Sequence, residues 1–294
     1  MAKIVDWIAR GAKQNCELII FGEALVPGYP FWVERTDGAR FDASLQKSLY
    51  AHYLEQGVAI EDGDLDPVCK AAAKHKTAVY LGTMERAGNR GGHSLYCSMV
   101  YIDATGKICS VHRKLMPTYE ERLVWAIGDG NGLRTHKLGS FTVGGLNCWE
   151  NWLPLARAAL YGQGEDLHVA IWPGNQSNTE DLTRHMAREG RSFVASVSGL
   201  MRRCDIGDDL PHADVLRESA DDVMADGGSC LAAPTGEWLL EPETGVESLR
   251  IASIDHQLVL EERHNLDVAG HYSRPDVTRL IVNRKRQTTT EFDD

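Results

Sequence analysis

Short apolar runs alternate with longer amphipathic stretches along the whole 294-residue chain, and no proline-, glycine- or serine-rich linker interrupts them. A chain written this way must stack sheets against helices, because neither a half-apolar strand nor an amphipathic helix can bury its apolar face alone. The pattern predicts strands at Leu18–Phe21, Ala78–Leu81, Ser94–Ile102, Ile108–Arg113, Phe141–Asn147, His168–Trp172, Phe193–Val197, Ser229–Ala232 and Leu249–Ile254. Asp103–Lys107 and Ala233–Glu237 read as hairpin loops, so antiparallel pairing is expected. Helices are predicted at Lys3–Asn15, Ala43–Gln56, Asp66–Lys76, Asn151–Gly162, Thr179–Gly190 and Gln257–Asn265. In Asn151–Gly162 the spacing of Trp152, Leu155, Ala156, Ala159 and Leu160 predicts one core-facing stripe, with Pro154 tolerated in the first turn.

With 43% apolar and 25% charged residues, the chain has enough material for a packed core and is not a disordered segment. We read residues 1–294 as a single domain, with 265–294 a C-terminal extension used in assembly. A net charge of −11 repels phosphate backbones and anionic lipid, which argues against nucleic acid and membrane partners. Seven cysteines form no secretory framework, and the start carries Asp6 and no apolar signal core. No apolar run approaches the ~18 residues that a membrane-spanning helix needs. A soluble protein of the reducing cytoplasm is expected. Phosphate-loop, dinucleotide, serine-hydrolase and zinc signatures are all missing, so no cofactor and no metal are expected.

Three polar residues stand where predicted strands end. Glu23 follows Leu18–Phe21; burial there would raise a carboxyl toward the range useful for a base. Lys114 follows Ile108–Arg113 and can present a fixed positive charge to developing negative charge. Cys148 lies between Phe141–Asn147 and the helix opening near Asn151, where a helix dipole and a lysine would favour the thiolate. Each also fits a plain structural role: an ion-pair partner, a solvated lysine, a small buried hydrophobe. Together they make a base, a charge stabiliser and a nucleophile for attack on an electrophilic carbon.

The residues around these three resemble the nitrilase superfamily of carbon-nitrogen hydrolases, in its nitrilase and cyanide-hydrolysing branch. The matching stretches are Phe21-Gly-Glu-Ala-Leu-Val-Pro-Gly-Tyr-Pro-Phe-Trp32, His112-Arg-Lys-Leu-Met-Pro-Thr-Tyr-Glu-Glu-Arg-Leu-Val-Trp125 with Gly128-Asp-Gly130, and Gly144-Gly-Leu-Asn-Cys-Trp-Glu-Asn-Trp152 through Arg157. Arg184–Arg191 and Gly270–Val277 resemble the downstream signatures of the family. The resemblance implies an α/β fold: an αββα sandwich of two mainly antiparallel or mixed sheets, with helices on both outer faces. The usual opening strand is expected to be missing, since the chain begins directly in Ala2-Lys-Ile-Val-Asp-Trp7.

The resemblance also assigns roles. Glu23 would be the general base, Lys114 would steady the tetrahedral intermediate, and Cys148 would attack. Glu121 would hold the lysine and position substrate or water, and Trp149 and Trp172 would line the substrate pocket. The implied reaction is hydrolysis of a small organic nitrile, or cyanide, to a carboxylic acid and ammonia, in a homodimer or larger homo-oligomer. Two other readings fit the same motifs: an amidase or carbamoylase, and an impaired member acting through assembly. Ala170-Ile-Trp-Pro-Gly-Asn175 departs from the Pro-Thr-Trp-Asp type of sequence frequent in relatives, which leaves substrate preference open.

Overall fold

In the computed structural model, which describes residues 1–290 and 293, the layering follows from strands that bury both faces. Along β2 (Ala78–Arg86), Val79 and Leu81 pack with Ile4 and Ile8 of α1 (Ala2–Lys13) and Val68 and Ala72 of α4 (Asp66–His75). The alternate residues Ala78 and Tyr80 pack with Val143 of β6 (Phe141–Asn147), Val169 and Ile171 of β7 (Leu167–Trp172) and Phe193 of β8 (Phe193–Ser198). Period-two alternation with both sides apolar therefore places this sheet between helices and a second sheet. On the far side of β7, Ala170 and Trp172 meet Leu182, Met186 and Ala187 of α6 (Gln176–Gly190). The stack reads helix, sheet, sheet, helix, as expected for an αββα sandwich.

The first sheet has the order β1 (Leu18–Ile20), β2, β3 (Leu95–Ile102), β4 (Ile108–Arg113). The second runs β11 (Trp238–Thr244), β10 (Val223–Ala232), β8, β7, β6, β5 (His136–Leu138), with β9 (Leu200–Arg202) paired to β10. Both sheets are mixed: β1–β2, β6–β7 and β7–β8 are parallel, while the hairpins β3–β4 and β10–β11 are antiparallel. Helix α5 (Pro154–Tyr161) packs Ala156, Ala159 and Leu160 on Leu146 of β6. Helices α2 (Trp32–Arg35), α3 (Ser44–Glu55) and α7 (Ala213–Ser219) gather around an apolar cavity, and α8 (Gln257–Asn265) follows the second sheet.

Several boundaries differ from the sequence expectation for identifiable reasons. The predicted helix Asn151–Gly162 divides into a 3-10 turn, Cys148–Trp152, and α5, which begins at Pro154. The break shifts the phase of the stripe, so Trp152 and Leu155 are 51% and 68% exposed and are not core residues. The predicted strand Leu249–Ile254 does not form. Residues 248–254 line a cavity of about 530 Å³ opposite the free edge of β1, and their backbone bonds to no other described main-chain group. A strand needs a neighbouring ladder, and across this gap none is within reach. Strands β2 and β10 run longer than predicted, to Arg86 and back to Val223, and β11, β5 and β9 were not foreseen.

The extension after α8 lies back on its own chain. Val282 packs near Leu133 and Leu146, Arg286 pairs with Asp129 at 3.0 Å, and Asn131 donates to the Arg284 carbonyl at 3.0 Å. Among the described residues, no helix is long and apolar enough to cross a membrane. Native-state hydrogen exchange should divide this fold sharply: amides of 249–254 are expected to exchange at nearly unprotected rates while those of β2 and β3 persist to global unfolding. Strong protection of 249–254 would contradict the free edges described above.

Candidate active site

Lys114 ends β4, and its ammonium is wholly buried between two carboxylates, 2.9 Å from Glu23 Oε1 and 2.7 Å from Glu121 Oε2. Burial works against the charge, but Cys148, Glu23, Glu121 and Cys97 together hold the lysine pKa well above its ordinary value. It remains an ammonium. Glu23 follows β1, where its amide donates to the Trp172 carbonyl at 3.2 Å. The approach of β2 is close enough that a Cβ on Gly82 would overlap the Gly22 oxygen, the Ala24 nitrogen and the Cα of Glu23. Only glycine fits there. Desolvation pushes the Glu23 carboxyl up to about 7, with Glu121 adding to the rise, while Lys114 and the Cys97 hydrogen bond oppose it.

Glu121 sits in a 3-10 turn, Tyr119–Leu123, whose Thr118 amide donates to Glu121 Oε2 at 2.6 Å. Its other oxygen accepts the Tyr29 hydroxyl at 2.8 Å. Both oxygens are thus held, and the group is fixed beside Lys114.

Cys148 ends β6 with φ +47°, in the left-handed region that non-glycine residues avoid. Such strain persists only where surroundings enforce it, and two buried braces do so. Glu150 accepts from the amides of Asn147 and Leu115 and from His112 Nε2 at 3.0 Å, so one carboxylate ties the turn of Cys148 to the residue following Lys114. Burial alone would raise Glu150, but His112 and the two amides outweigh it and hold the carboxyl below its ordinary value. The second brace is Asn151, whose amide donates to the Cys148 carbonyl at 2.8 Å while its oxygen meets His168 Nε2 at 2.8 Å. His168 in turn meets Glu165 at 3.0 Å.

The structure thus brings Glu23, Lys114, Glu121 and Cys148 together. A ligating oxygen of each acid and the Cys148 sulfur lie within 4.8 Å of one another. Such a trio could in principle hold a cation, but the Lys114 ammonium already sits at hydrogen-bond distance from both carboxylates. One sequence expectation is corrected. Burial and the Glu23 charge drive the Cys148 pKa well above that of a free thiol, despite Lys114, and a five-residue 3-10 turn stands where a helix dipole was expected. Burial thus favours the thiol over the thiolate at this position.

Trp172 is fully buried in the cluster that contains Cys148, with its indole N–H on Ser196 Oγ at 3.3 Å. Trp149 is 54% exposed and reaches Asn178. Neither lines the cavity of about 170 Å³ walled by Tyr29, Phe31, Trp32, Tyr53, Met201 and Met224. Sequence reasoning passed over Tyr29, Cys97, Glu150 and His112. Tyr29 and Glu150 stood inside the quoted motifs without a role, and nothing marked Cys97 among seven cysteines. Replacing Glu150 by Ala leaves two amides and His112 without their acceptor; a stability loss of about 3–5 kcal/mol is expected from the urea midpoint. A loss under about 1 kcal/mol would dismiss the brace.

Comparison with known proteins identifies the family and the fold. The profile of the carbon-nitrogen hydrolase family matches residues 1–263. The chain is 33% identical to a protein named Nitrilase 2, from an unknown prokaryotic organism, over 98% of this chain and 88% of that one. It is 31% identical to an aliphatic nitrilase of Sinorhizobium fredii, over 96% and 90% of the two chains. The crystal structure of a carbon-nitrogen hydrolase from Helicobacter pylori G27 shares the fold, with a TM-score of 0.69 at 18% identity over 95% of this chain and 93% of that one. With the family profile matched over residues 1–263 and relatives above 30% identity along nearly the whole chain, the protein belongs to the carbon-nitrogen hydrolase family.

Proposed function

We propose that the protein hydrolyses a small organic nitrile to its carboxylic acid and ammonia. The observation that carries this reading is the buried contact of Lys114 with Glu23 and Glu121 beside the Cys148 sulfur. Glu23 takes the thiol proton as the sulfur attacks the nitrile carbon, and the proton passes to nitrogen to give a thioimidate. Water, activated by the same carboxylate, then adds; ammonia leaves and a thioester remains. A second water releases the acid and restores the thiol. Two waters are consumed for each nitrile. Through both additions the Lys114 ammonium faces the negative charge that develops on nitrogen or oxygen. Glu121 keeps that ammonium in place and positions substrate or water.

The relatives named nitrilases, at 31–33% identity over nearly the whole chain, support nitriles over amides as substrates. The apolar cavity adjoins the site through Tyr29, whose hydroxyl is held by Glu121, and there we place an apolar substituent of the substrate. Trp172 packs in the Cys148 cluster, whereas Trp149 lies at the surface and reaches Asn178. The extension 265–294 exposes Tyr272, Val277 and Ile281, the last at 84%, and we assign this apolar surface to homo-oligomer assembly.

Ammonia release from a panel of nitriles and their matching amides is expected to favour the nitriles and to be abolished by Cys148→Ala. Mass spectrometry of Glu23→Gln incubated with substrate is expected to detect at most a slow adduct on Cys148. A strong preference for amides would overturn the nitrile reading, and full activity of Cys148→Ala would overturn the site. Because the base acts in its deprotonated form, kcat/KM is expected to fall about tenfold per pH unit below about 7, the pKa of Glu23.

A further inference from the structure

Resting on that reading, we infer that Cys97 is a positioning residue for the general base: its buried thiol occupies Glu23 Oε1 and so reserves Oε2 for proton transfer. A carboxylate oxygen offers two lone-pair sites. On Glu23 Oε1 both are taken, one by Lys114 Nζ at 2.9 Å and the other by Cys97 Sγ at 3.3 Å. Glu23 Oε2 is buried without any hydrogen-bond partner. An empty acceptor shut away from water is costly unless something uses it, and here the reaction does.

The placement of Cys97 on β3 gives it a second hold on the same site. Its carbonyl accepts the Lys114 amide at 2.8 Å, so one residue fixes the backbone of the lysine and the carboxylate of the base. The thiol lies among Ala24, Met84, Leu95, Val124 and Trp125 and is fully buried. Desolvation and the adjacent Glu23 charge hold its pKa well above that of a free thiol, so the sulfur keeps its proton and serves as a donor. The groups that face Glu23 come from several elements: Lys114 after β4, Glu121 from its 3-10 turn, Cys148 after β6, and the hydroxyls of Tyr29 and Tyr53. Of these neighbours, Lys114 and Cys97 hydrogen-bond the carboxylate and so favour its charged form.

The test is the pH profile of kcat/KM for a nitrile in Cys97→Ala, Cys97→Val and Cys97→Ser. Loss of the donor in Cys97→Ala or Cys97→Val is expected to raise the acidic limb by about 0.5–1 pH unit. Cys97→Ser retains a donor and is expected to leave the limb at or below its original position, a rescue that a merely space-filling role would not give. The rate of Cys148 alkylation by iodoacetamide against pH should move in parallel, and it needs no turnover. Val preserves the volume if Ala disrupts folding. The inference is overturned if neither donor-free variant raises the limb, or if Ser raises it as they do. Cys148→Ala separates the two levels: activity retained there sinks the proposed site on which this inference rests, whereas activity lost there with an unmoved Cys97→Ala profile sinks this inference alone.

Discussion

A lysine ammonium with no access to water is the constraint around which the site is built. Lys114 can stay charged only because two carboxylates lie within hydrogen-bond distance, and those carboxylates can be buried only because the ammonium is there. Their mutual dependence divides the two acids by environment. Glu121 has each oxygen engaged, by Lys114 and the Thr118 amide on one side and by Tyr29 on the other. Glu23 keeps one oxygen empty. Chemically alike residues therefore differ in environment, Glu121 hydrogen-bonded through both oxygens and Glu23 through one.

Geometry at this scale depends on the layers beneath it. The strands deliver Glu23, Lys114 and Cys148 from separate positions in both sheets, so the site exists only when the sandwich is assembled. Glu150 then removes the remaining freedom by joining the turn of Cys148 to the backbone after Lys114. A left-handed cysteine directly after β6 is tolerable because its carbonyl is held by Asn151, and Asn151 and Glu150 are themselves pinned from inside. Packing sets the coarse positions and buried hydrogen bonds set the fine ones.

Much of this was legible in the residues. Strands that bury both faces leave continuous apolar runs, as at Phe141–Asn147 and Leu167–Trp172, and the hairpin at Asp103–Lys107 carries turn chemistry that any reading finds. Glu23, Lys114 and Cys148 each stood where a predicted strand ends, but alone each fitted a plain structural role, and the resemblance of the motifs around them supplied the catalytic expectation. What stayed hidden depends on contacts distant in sequence. The Cys148 thiol is pushed up first by burial and then by Glu23, 125 positions away in this numbering, and a lone sequence cannot weigh these against Lys114. The predicted strand at Leu249–Ile254 had suitable residues but lacked a neighbour to pair with. Local preference proposes a strand and the sheet decides it.

A buried cysteine whose pKa is held high is also chemically protected. Peroxides and disulfides react with sulfur anions far faster than with neutral sulfhydryls. Burial and the neighbouring Glu23 charge push the Cys148 thiol up and so favour the form that ordinary oxidants attack slowly.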